Sequence, residues 1–421
     1  MIGYLTLLRT QWPLLAFGFV TVFWGNFGQS FFVGWFSADI QASVGLSASA
    51  YGSAYSLGTL AAAVTVAWAG AIIDRVSLRT YVLSVSAGLC CAALLLSQAS
   101  TLWMLIPGFF LLRLFGQSLL PHTGMTTMAR YFDDNRGKAI SVAMSGVPVG
   151  EVVLPLLAVM LIARIGWQYT FLVVALGVVL ILVPSLLWLL HKAAPQQERH
   201  DDAQAQMRRD NAGSSQPVAM GRSVLLKDYR YWLALPALMA SPFIMTAIFI
   251  HQNFIVVSKG WTLSWLATCF VVYGGMHWVC SLISGVLVDR FKAVRLLPFI
   301  LLPMLGALLL ITFASGTWVA LGMMILLGIG AGGTPPVTGA LWAEVYGTRA
   351  LGTIRSMNMA IVVLFSAISP VLVGYFIDRG TGVAGIFGAC ALYVAVAMVL
   401  ISLSYPLNRA PAGVDSSGRM L

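Results

Sequence analysis

Charge is what this sequence has little of. Only 9% of its 421 residues are charged, whereas 59% are hydrophobic and the mean hydropathy is +0.89. A soluble globular protein has about 25% charged residues. So few charges cannot cover a water-facing surface, which excludes a soluble enzyme or a soluble binding domain. The composition indicates a protein whose solvent is lipid.

Several chemical signatures are also missing. The five cysteines all lie in apolar segments, and neither their odd number nor their spacing fits a disulfide framework or a zinc site. There is no G-x-S-x-G nucleophile elbow and no G-x-x-x-x-G-K-[ST] phosphate loop. We therefore expect no enzyme activity, no ATP-driven transport, no cofactor and no metal.

Long apolar runs are what the chain does have. A run of about 20 apolar residues is long enough to cross a bilayer as a helix. Twelve such runs lie at 13–36, 48–73, 80–98, 102–129, 139–163, 167–190, 232–257, 262–288, 294–314, 317–342, 351–377 and 382–405. We number them spans 1 to 12. The sequence predicts an all-α membrane protein with 12 transmembrane helices.

The basic residues show which way these spans run. Of the 24 Lys and Arg residues, 20 fall in loops on one side, and Arg113 lies inside a span. Because Lys and Arg concentrate in cytoplasmic loops, we expect a multi-pass protein of the inner cell membrane with both termini in the cytoplasm. The net charge of +10 is thereby explained by topology, and no nucleic-acid partner is expected.

The chain divides into two similar halves. A polar segment at 191–230 predicts a flexible cytoplasmic linker between a half at 1–190 and a half at 231–405, with a cytoplasmic tail at 406–421. An offset of 215 residues relates Asp74 to Asp289, Tyr131 to Tyr346 and Pro155 to Pro370, and one of 223 residues relates Gln29 to Gln252. A repeat of six helices is typical of transporters.

A loop motif names the family that the chain resembles. "GAIIDRVSLR", with Gly70, Asp74, Arg75 and Arg79, resembles the G-x-x-x-D-R-x-x-R loop of the major facilitator superfamily, and Gly285, Asp289 and Arg290 form a second copy. The resemblance implies two pseudo-symmetric six-helix halves that rock to give alternating access. It also implies that these loop residues gate the cytoplasmic side, although a static helix cap and ion pair would use the same residues.

A looser resemblance concerns the branch within the superfamily. "RYFDDNRGKAISVAMSGVPVGEVVLPLL", followed by "GW", is similar to the monocarboxylate-porter-like branch. Animal carriers of that branch have an acid in the first span and an Asp/Arg pair in the eighth. Here span 1 has Asn26 in place of the acid, and span 8 has neither Asp nor Arg.

Two charges lie deep inside the spans. Arg113 in span 4 and Glu151 in span 5 both fall near the bilayer midplane, about 16 and 18 Å from the ends of their helices at 1.5 Å per residue. Each alone would cost about 3 kcal/mol or more. We predict that they form an ion pair, with Gly146 and Gly150 letting spans 4 and 5 approach. The pair is either a permanent link or a proton-coupled switch in which a substrate carboxylate competes for Arg113.

Uncharged polar residues form stripes on the same spans. The candidate substrate or coupling residues are Asn26, Gln29, Arg113, Gln117, Glu151, His251, Gln252, Tyr273 and His277. In lipid such stripes should face protein or water, and spans 1 and 7 would line a central cavity if the family architecture holds. The alternative for each is a bond to its own helix. The segment "GIGAGGTPPVTG" predicts a kinked or broken span 10 that could act as a gate hinge.

These observations favour a secondary active transporter of a small organic solute. The leading hypothesis is proton-coupled uptake of an organic anion such as a monocarboxylate. Two alternatives stay open: uptake of a neutral heteroaromatic metabolite or vitamin, riboflavin-like, and efflux of an amphipathic compound. The expected partners are the solute, a proton and membrane lipid, and we expect a monomer.

Overall fold

The computed structural model describes residues 4–132, 135–210, 228–346 and 351–405. Within these ranges the regular structure is entirely helical, without strands. Ten helices in the described part are long and apolar enough to cross a membrane. The predicted all-α membrane fold is confirmed.

The difference between ten helices and twelve spans has two causes. Span 1 is divided into short pieces, Trp12–Gly25, Asn26–Gly28, Ser30–Val33 and Gly34–Phe36. The 62-residue helical stretch Arg136–Gln197 contains both span 5 and span 6. Gly166 has a φ of 80° there and breaks the stretch, because only glycine adopts that conformation without strain. Twelve crossings are therefore consistent with the structure.

The other helices follow the apolar runs. In the first half, span 2 is Ala48–Ala69 with a 3₁₀ extension Gly70–Asp74, and span 3 is Leu78–Ser97. Span 4 consists of Leu102–Leu111, a π-helical segment Leu112–Leu119 and Leu120–Tyr131. Spans 5 and 6 consist of Arg136–Met144, Gly146–Gly177, the π-helical Val178–Leu182 and Val183–Asp210. In the second half they are Tyr229–Ile250, Gln252–Lys259, Leu263–Phe291, Leu302–Phe313, Trp318–Tyr346, Leu351–Asp378 and Val383–Ser404.

The chain forms two compact units, Met1–Gln216 and Pro217–Leu421. In the first, span 1 packs against spans 4, 5 and 6, and span 2 packs against span 4. In the second, span 7 packs against spans 11 and 12, and span 8 against span 10. Each unit thus places its own first span in contact with its fifth.

Two predictions about the backbone need correction. Span 10 is not broken at its glycines and prolines, since one helix runs from Trp318 to Tyr346. Its Gly328 and Gly332 instead touch the backbone of span 8 at Tyr273 and His277, where a Cβ would not fit. The predicted flexible linker begins as helix, because span 6 continues to Asp210. Residues 211–227 and the tail from 406 lie outside the described residues.

Candidate functional site

Span 1 is interrupted at the depth of its polar residues. After Gly25 the chain makes one 3₁₀ turn, and Gln29 is extended at φ −77° and ψ 151°. Asn26 donates from Nδ2 to the carbonyls of Phe23, 3.0 Å away, and of Gly146 in span 5, 2.9 Å away. Side chains from neighbouring spans are needed here because a broken helix leaves backbone groups without partners.

Backbone contact between spans 1 and 4 surrounds this break. A Cβ on Gly28 would collide with the backbone of Leu112 and Gln117, and one on Gly116 would lie 2.9 Å from Gly28. Span 4 is π-helical over Leu112–Leu119, the segment that makes this contact. Single π-helical turns are often found at functional sites.

Arg113 of span 4 binds the backbone at the break in span 1. Its side chain is 3% exposed, and Nη1 donates to the carbonyl of Gly28 at 3.2 Å. The guanidinium lies 5.0 Å from the centre of the Tyr55 ring on span 2. Among the described residues, Arg113 Nε, the Tyr55 hydroxyl and Thr59 Oγ1 are buried without a hydrogen-bond partner. Thr59 and Ser30 lie near that hydroxyl but without hydrogen-bond geometry.

The predicted ion pair between Arg113 and Glu151 is wrong for this structure. Within the described residues Arg113 contacts Gly28 and Tyr55 instead. Glu151 is 5% exposed on span 5. The predicted role of Gly146 and Gly150 is also wrong.

Those two glycines face span 1 rather than span 4. A Cβ on Gly146 would meet Phe19 and Phe23, and a Cβ on Gly150 would meet the Asn26 side chain. The physical reason for both errors is that span 1 contacts both spans, so its backbone serves as the acceptor that Glu151 was expected to provide.

The remaining predicted residues of the first half lie beside the break. Gln29 is the extended residue that ends it, and its side chain is partly exposed. Gln117 is also partly exposed, and its backbone nitrogen faces Gly28. The structure therefore places Asn26, Gln29, Arg113 and Gln117 around one point, with Glu151 on the neighbouring span 5.

Span 7 is interrupted at the matching place in the second half. His251 separates Tyr229–Ile250 from Gln252–Lys259, with φ −103° and ψ 23°. Its Nε2 lies 2.9 Å from the carbonyl oxygen of Pro370 in span 11. Gln252 is 1% exposed, and neither polar atom of its amide has a hydrogen-bond partner among the described residues.

Tyr273 and His277 lie close together on span 8. Their ring centres are 6.2 Å apart, and the Phe249 ring of span 7 is 5.7 Å from that of Tyr273. Tyr273 is 2% exposed, whereas His277 is partly exposed. The second half thus combines one buried amide with an aromatic group.

The loop motif of the first half links the ends of spans 2 and 4. Asp74 forms an ion pair of 2.5 Å with Arg130, and the Gly70 carbonyl lies 3.3 Å from Nε2 of His122. Arg75 and Arg79 are exposed. The acid of the motif therefore pairs with span 4 rather than with its neighbouring arginines.

The second copy is connected differently. Asp289 is exposed, and the Arg290 guanidinium lies 5.4 Å from the centre of the Phe291 ring. Gly285 has open space where a Cβ would stand. Near this second copy, Glu344 of span 10 connects to the start of span 9, because its carboxylate accepts from the backbone nitrogens of Ala293 at 2.9 Å and Val294 at 3.3 Å.

Comparison with known proteins decides the family. The family model described as Major Facilitator Superfamily matches residues 15–276 and 262–420. The chain belongs to this superfamily. Its members are membrane transporters, so this protein is a transporter and not an enzyme.

Individual superfamily members are only distantly similar. An uncharacterised transporter of the major facilitator type from Bacillus subtilis (strain 168), YcxA, is 23% identical over 292 residues, which is 66% of this chain and 67% of the relative. Among solved structures, a D-xylose-proton symporter has a TM-score of 0.66 at 14% identity, with 94% of this chain and all of that chain covered. A bacterial homologue of the human lysosomal transporter Spinster, inward-facing and unoccupied, has a TM-score of 0.66 at 15% identity, with 94% and 96% covered. At these identities the solved structures show the fold alone.

Sequence reasoning missed four residues of this superfamily member: Tyr55, Thr59, His122 and Arg130. Thr59 and Arg113 each lie 11 residues after the start of spans 2 and 4, which cross the membrane in the same direction, so equal depth could have connected them. Arg130 could have been found as the basic residue that ends span 4 opposite Asp74. For Tyr55 the sequence gives no such signal.

Proposed function

We propose that this protein is a secondary active transporter that takes up a small organic anion, such as a monocarboxylate, together with protons. The observation that carries the proposal is a buried guanidinium without an ion-pair partner among the described residues, next to two unpartnered hydroxyls. Arg113 is 3% exposed, and its guanidinium contacts one carbonyl and one aromatic ring among the described residues. A buried cation of this kind is costly unless a negative group neutralises it.

A carboxylate would satisfy these groups together. Arg113 offers a planar fork of donors that matches the two oxygens of a carboxylate. The Tyr55 hydroxyl and Thr59 Oγ1 are further donors on span 2, buried and unpartnered. Each buried polar group that lacks a hydrogen bond costs about 1–3 kcal/mol, so an anion that bonds to these groups gains binding free energy.

Glu151 is our proposed proton carrier. It is a buried acid on span 5, one residue after Gly150, which touches Asn26. Asn26 bonds to span 5 at Gly146, so a change at Glu151 can reach the break in span 1. A neighbour in fold is named a proton symporter, which agrees with proton coupling in this architecture.

Gating belongs to the same proposal. We place Gly70, Asp74, Arg75 and Arg79 on the cytoplasmic side of the inner membrane, where the Asp74–Arg130 ion pair holds spans 2 and 4 together. Gly285, Asp289 and Arg290 occupy the repeated position. The protein works as a monomer, with 1–190 and 231–405 as its two moving halves.

A second candidate is uptake of a neutral heteroaromatic compound. Its supporting observation is Gln252, whose buried amide has an unpartnered donor and an unpartnered acceptor among the described residues. Phe249, three residues before Gln252 on span 7, has its ring centre 5.7 Å from that of Tyr273 on span 8. An uncharged ring with both a donor and an acceptor fits such a surface.

A thermal-stability panel on the purified protein separates the two candidates. Small mono- and dicarboxylates are compared with neutral heteroaromatics and lipophilic cations, each at two pH values. A ligand at 100 times its Kd should add about 2.7 kcal/mol. We expect carboxylates to stabilise the protein, more at the lower pH, and Arg113→Gln to abolish this effect.

The matched control is Arg164→Gln, which removes an exposed arginine outside the spans. It should leave carboxylate stabilisation intact. Stabilisation by neutral aromatics alone, unchanged in Arg113→Gln, would refute the anion proposal and favour Gln252.

In proteoliposomes, Glu151→Gln should keep exchange of the anion across the membrane but lose accumulation driven by a proton gradient.

A further inference from the structure

A cavity of about 670 Å³ lies in the first unit, away from the break in span 1. Its walls are the turn and first residues of span 3, the end of span 4 and the last turns of span 6. All three belong to the end of the helices where the basic loops lie. Arg79 and Arg130 of its lining also belong to the proposed gate, whereas the proposed substrate residues at the break in span 1 do not line this cavity.

The cavity lining includes basic side chains. Arg79 and Arg130 both line it, and His191 adds a third nitrogen-bearing side chain. Arg130 already pairs with Asp74, whereas Arg79 makes no ion pair within the described residues. The first turn of span 3 also lines the cavity, with Ser77 as its N-cap. Ser77 Oγ already accepts from the backbone nitrogen of Thr80 at 3.1 Å, and the N-terminus of this long helix adds positive potential.

The lining also includes apolar side chains. Leu187, Leu190 and Ala194 of span 6 face the same cavity. Next to them Trp188 is 52% exposed, and its ring lies 5.5 Å from that of Trp12, which is 41% exposed. Tryptophans at the ends of transmembrane helices are enriched at the level of the lipid headgroups, and these two lie at the start of span 1 and the end of span 6. The cavity is therefore placed where a headgroup and the start of an acyl chain are found together.

We propose that this cavity binds the phosphate of an anionic phospholipid. Arg79 and the first turn of span 3 hold the phosphate, Arg130 adds charge from span 4, and the leucines of span 6 contact the acyl chain. A lipid bound here joins spans 3, 4 and 6 next to the Asp74–Arg130 ion pair. The lipid site shares Arg79 and Arg130 with the proposed gate, but it does not depend on the proposed substrate or on proton coupling, and its test measures lipid binding rather than transport.

The test uses the full-length protein, delipidated in detergent, and its thermal stability. Phosphatidylglycerol is titrated against phosphatidylcholine with the same acyl chains and against inorganic phosphate. We expect phosphatidylglycerol alone to raise the Tm in a saturable way. Arg79→Gln should weaken its apparent affinity about fivefold, since a basic residue near a lipid surface contributes about 1 kcal/mol.

Arg75→Gln is the matched control, because Arg75 is exposed in the same loop but does not line the cavity. An equal loss of affinity in both variants would reduce the effect to surface charge and overturn the proposal. Equal stabilisation by phosphatidylcholine or by inorganic phosphate would overturn the assignment to an anionic lipid. Ala194→Phe gives a second test, since it fills the cavity without changing charge and should weaken phosphatidylglycerol binding as well; unchanged binding contradicts the site.

Discussion

The two halves of this transporter share a repeat of six helices, but they differ in the residues at the positions of the candidate binding site. The 215-residue offset that relates Asp74 to Asp289 places Phe270 where the first half has Tyr55, and Gly328 where it has Arg113. One half therefore has a buried cation with hydroxyls beside it. The other has an aromatic side chain and a glycine that packs against span 8. Charge recognition, in our proposal, belongs to the first half.

The breaks in spans 1 and 7 show the same division. The 223-residue offset places His251 where the first half has Gly28. In the first half the backbone at this position accepts from Arg113 on another span. In the second half the side chain at this position reaches the carbonyl of Pro370. At the equivalent position, the first half therefore uses a backbone carbonyl and the second half uses a side chain. The repeat preserves the interruption of the helix but not the hydrogen bond that stabilises it.

The largest effect is expected from Gly28→Ala. The added Cβ would collide with backbone atoms of span 4, which cannot move aside as a flexible side chain can. Overpacking of this kind should cost about 3 kcal/mol of stability, measured as a fall in Tm. Gly275→Ala in span 8 is the control, because a Cβ there meets open space. Similar Tm values for the two variants would contradict the importance of the close contact in the first half.

A smaller loss of stability is expected from Asn26→Asp. Asn26 donates to two carbonyls, whereas an ionised carboxylate has no donor and would face two acceptors. The cost should be about 1–3 kcal/mol. The variant should recover part of its Tm as the pH falls, since a protonated carboxyl can donate once. Asn253→Asp, at a partly exposed position in the second half, should show no such recovery; if it does, the effect at position 26 is not specific.

The smallest effects are expected when each half receives the aromatic residue that the other half has at the equivalent position. Tyr55→Phe should leave the fold intact and weaken carboxylate binding about tenfold, which corresponds to about 1.4 kcal/mol. Phe270→Tyr adds a hydroxyl to a buried ring whose centre lies 5.5 Å from the ring centres of both Phe249 and Tyr273. This variant should lower the Tm without creating an anion site. Unchanged carboxylate affinity in Tyr55→Phe would remove the hydroxyl from the proposed site.

Hydropathy and repeats predicted the architecture because lipid leaves few alternatives. A run such as 102–129 must be a helix in a bilayer, whatever it packs against. The loop motif at Gly70 to Arg79 predicted the family for a similar reason, since its residues are adjacent in sequence. Depth along a helix could also be predicted, and it put Arg113 and Glu151 at similar levels near the bilayer midplane.

The sequence did not predict which helices contact each other side by side. Depth alone suggested Glu151 as the partner of Arg113, but span 1 packs against both of their helices. The break at Gly28 depends on a carbonyl that bonds to a side chain 85 residues away, so no local pattern marks it. Conversely, the glycines of span 10 suggested a local break, and the structure uses Gly328 and Gly332 for close packing instead.

The interruption of span 1 also has a consequence for how the protein is made. Its partners are Arg113 and Gly146, and Gly146 follows Asn26 by 120 residues. At about 5–20 residues per second, a ribosome needs roughly 6 to 24 seconds to synthesise that length. The first segment to reach the membrane therefore waits for the fifth before its backbone is fully bonded. Insertion and final shape are separate events for this helix, and the native bend is completed only late in biogenesis.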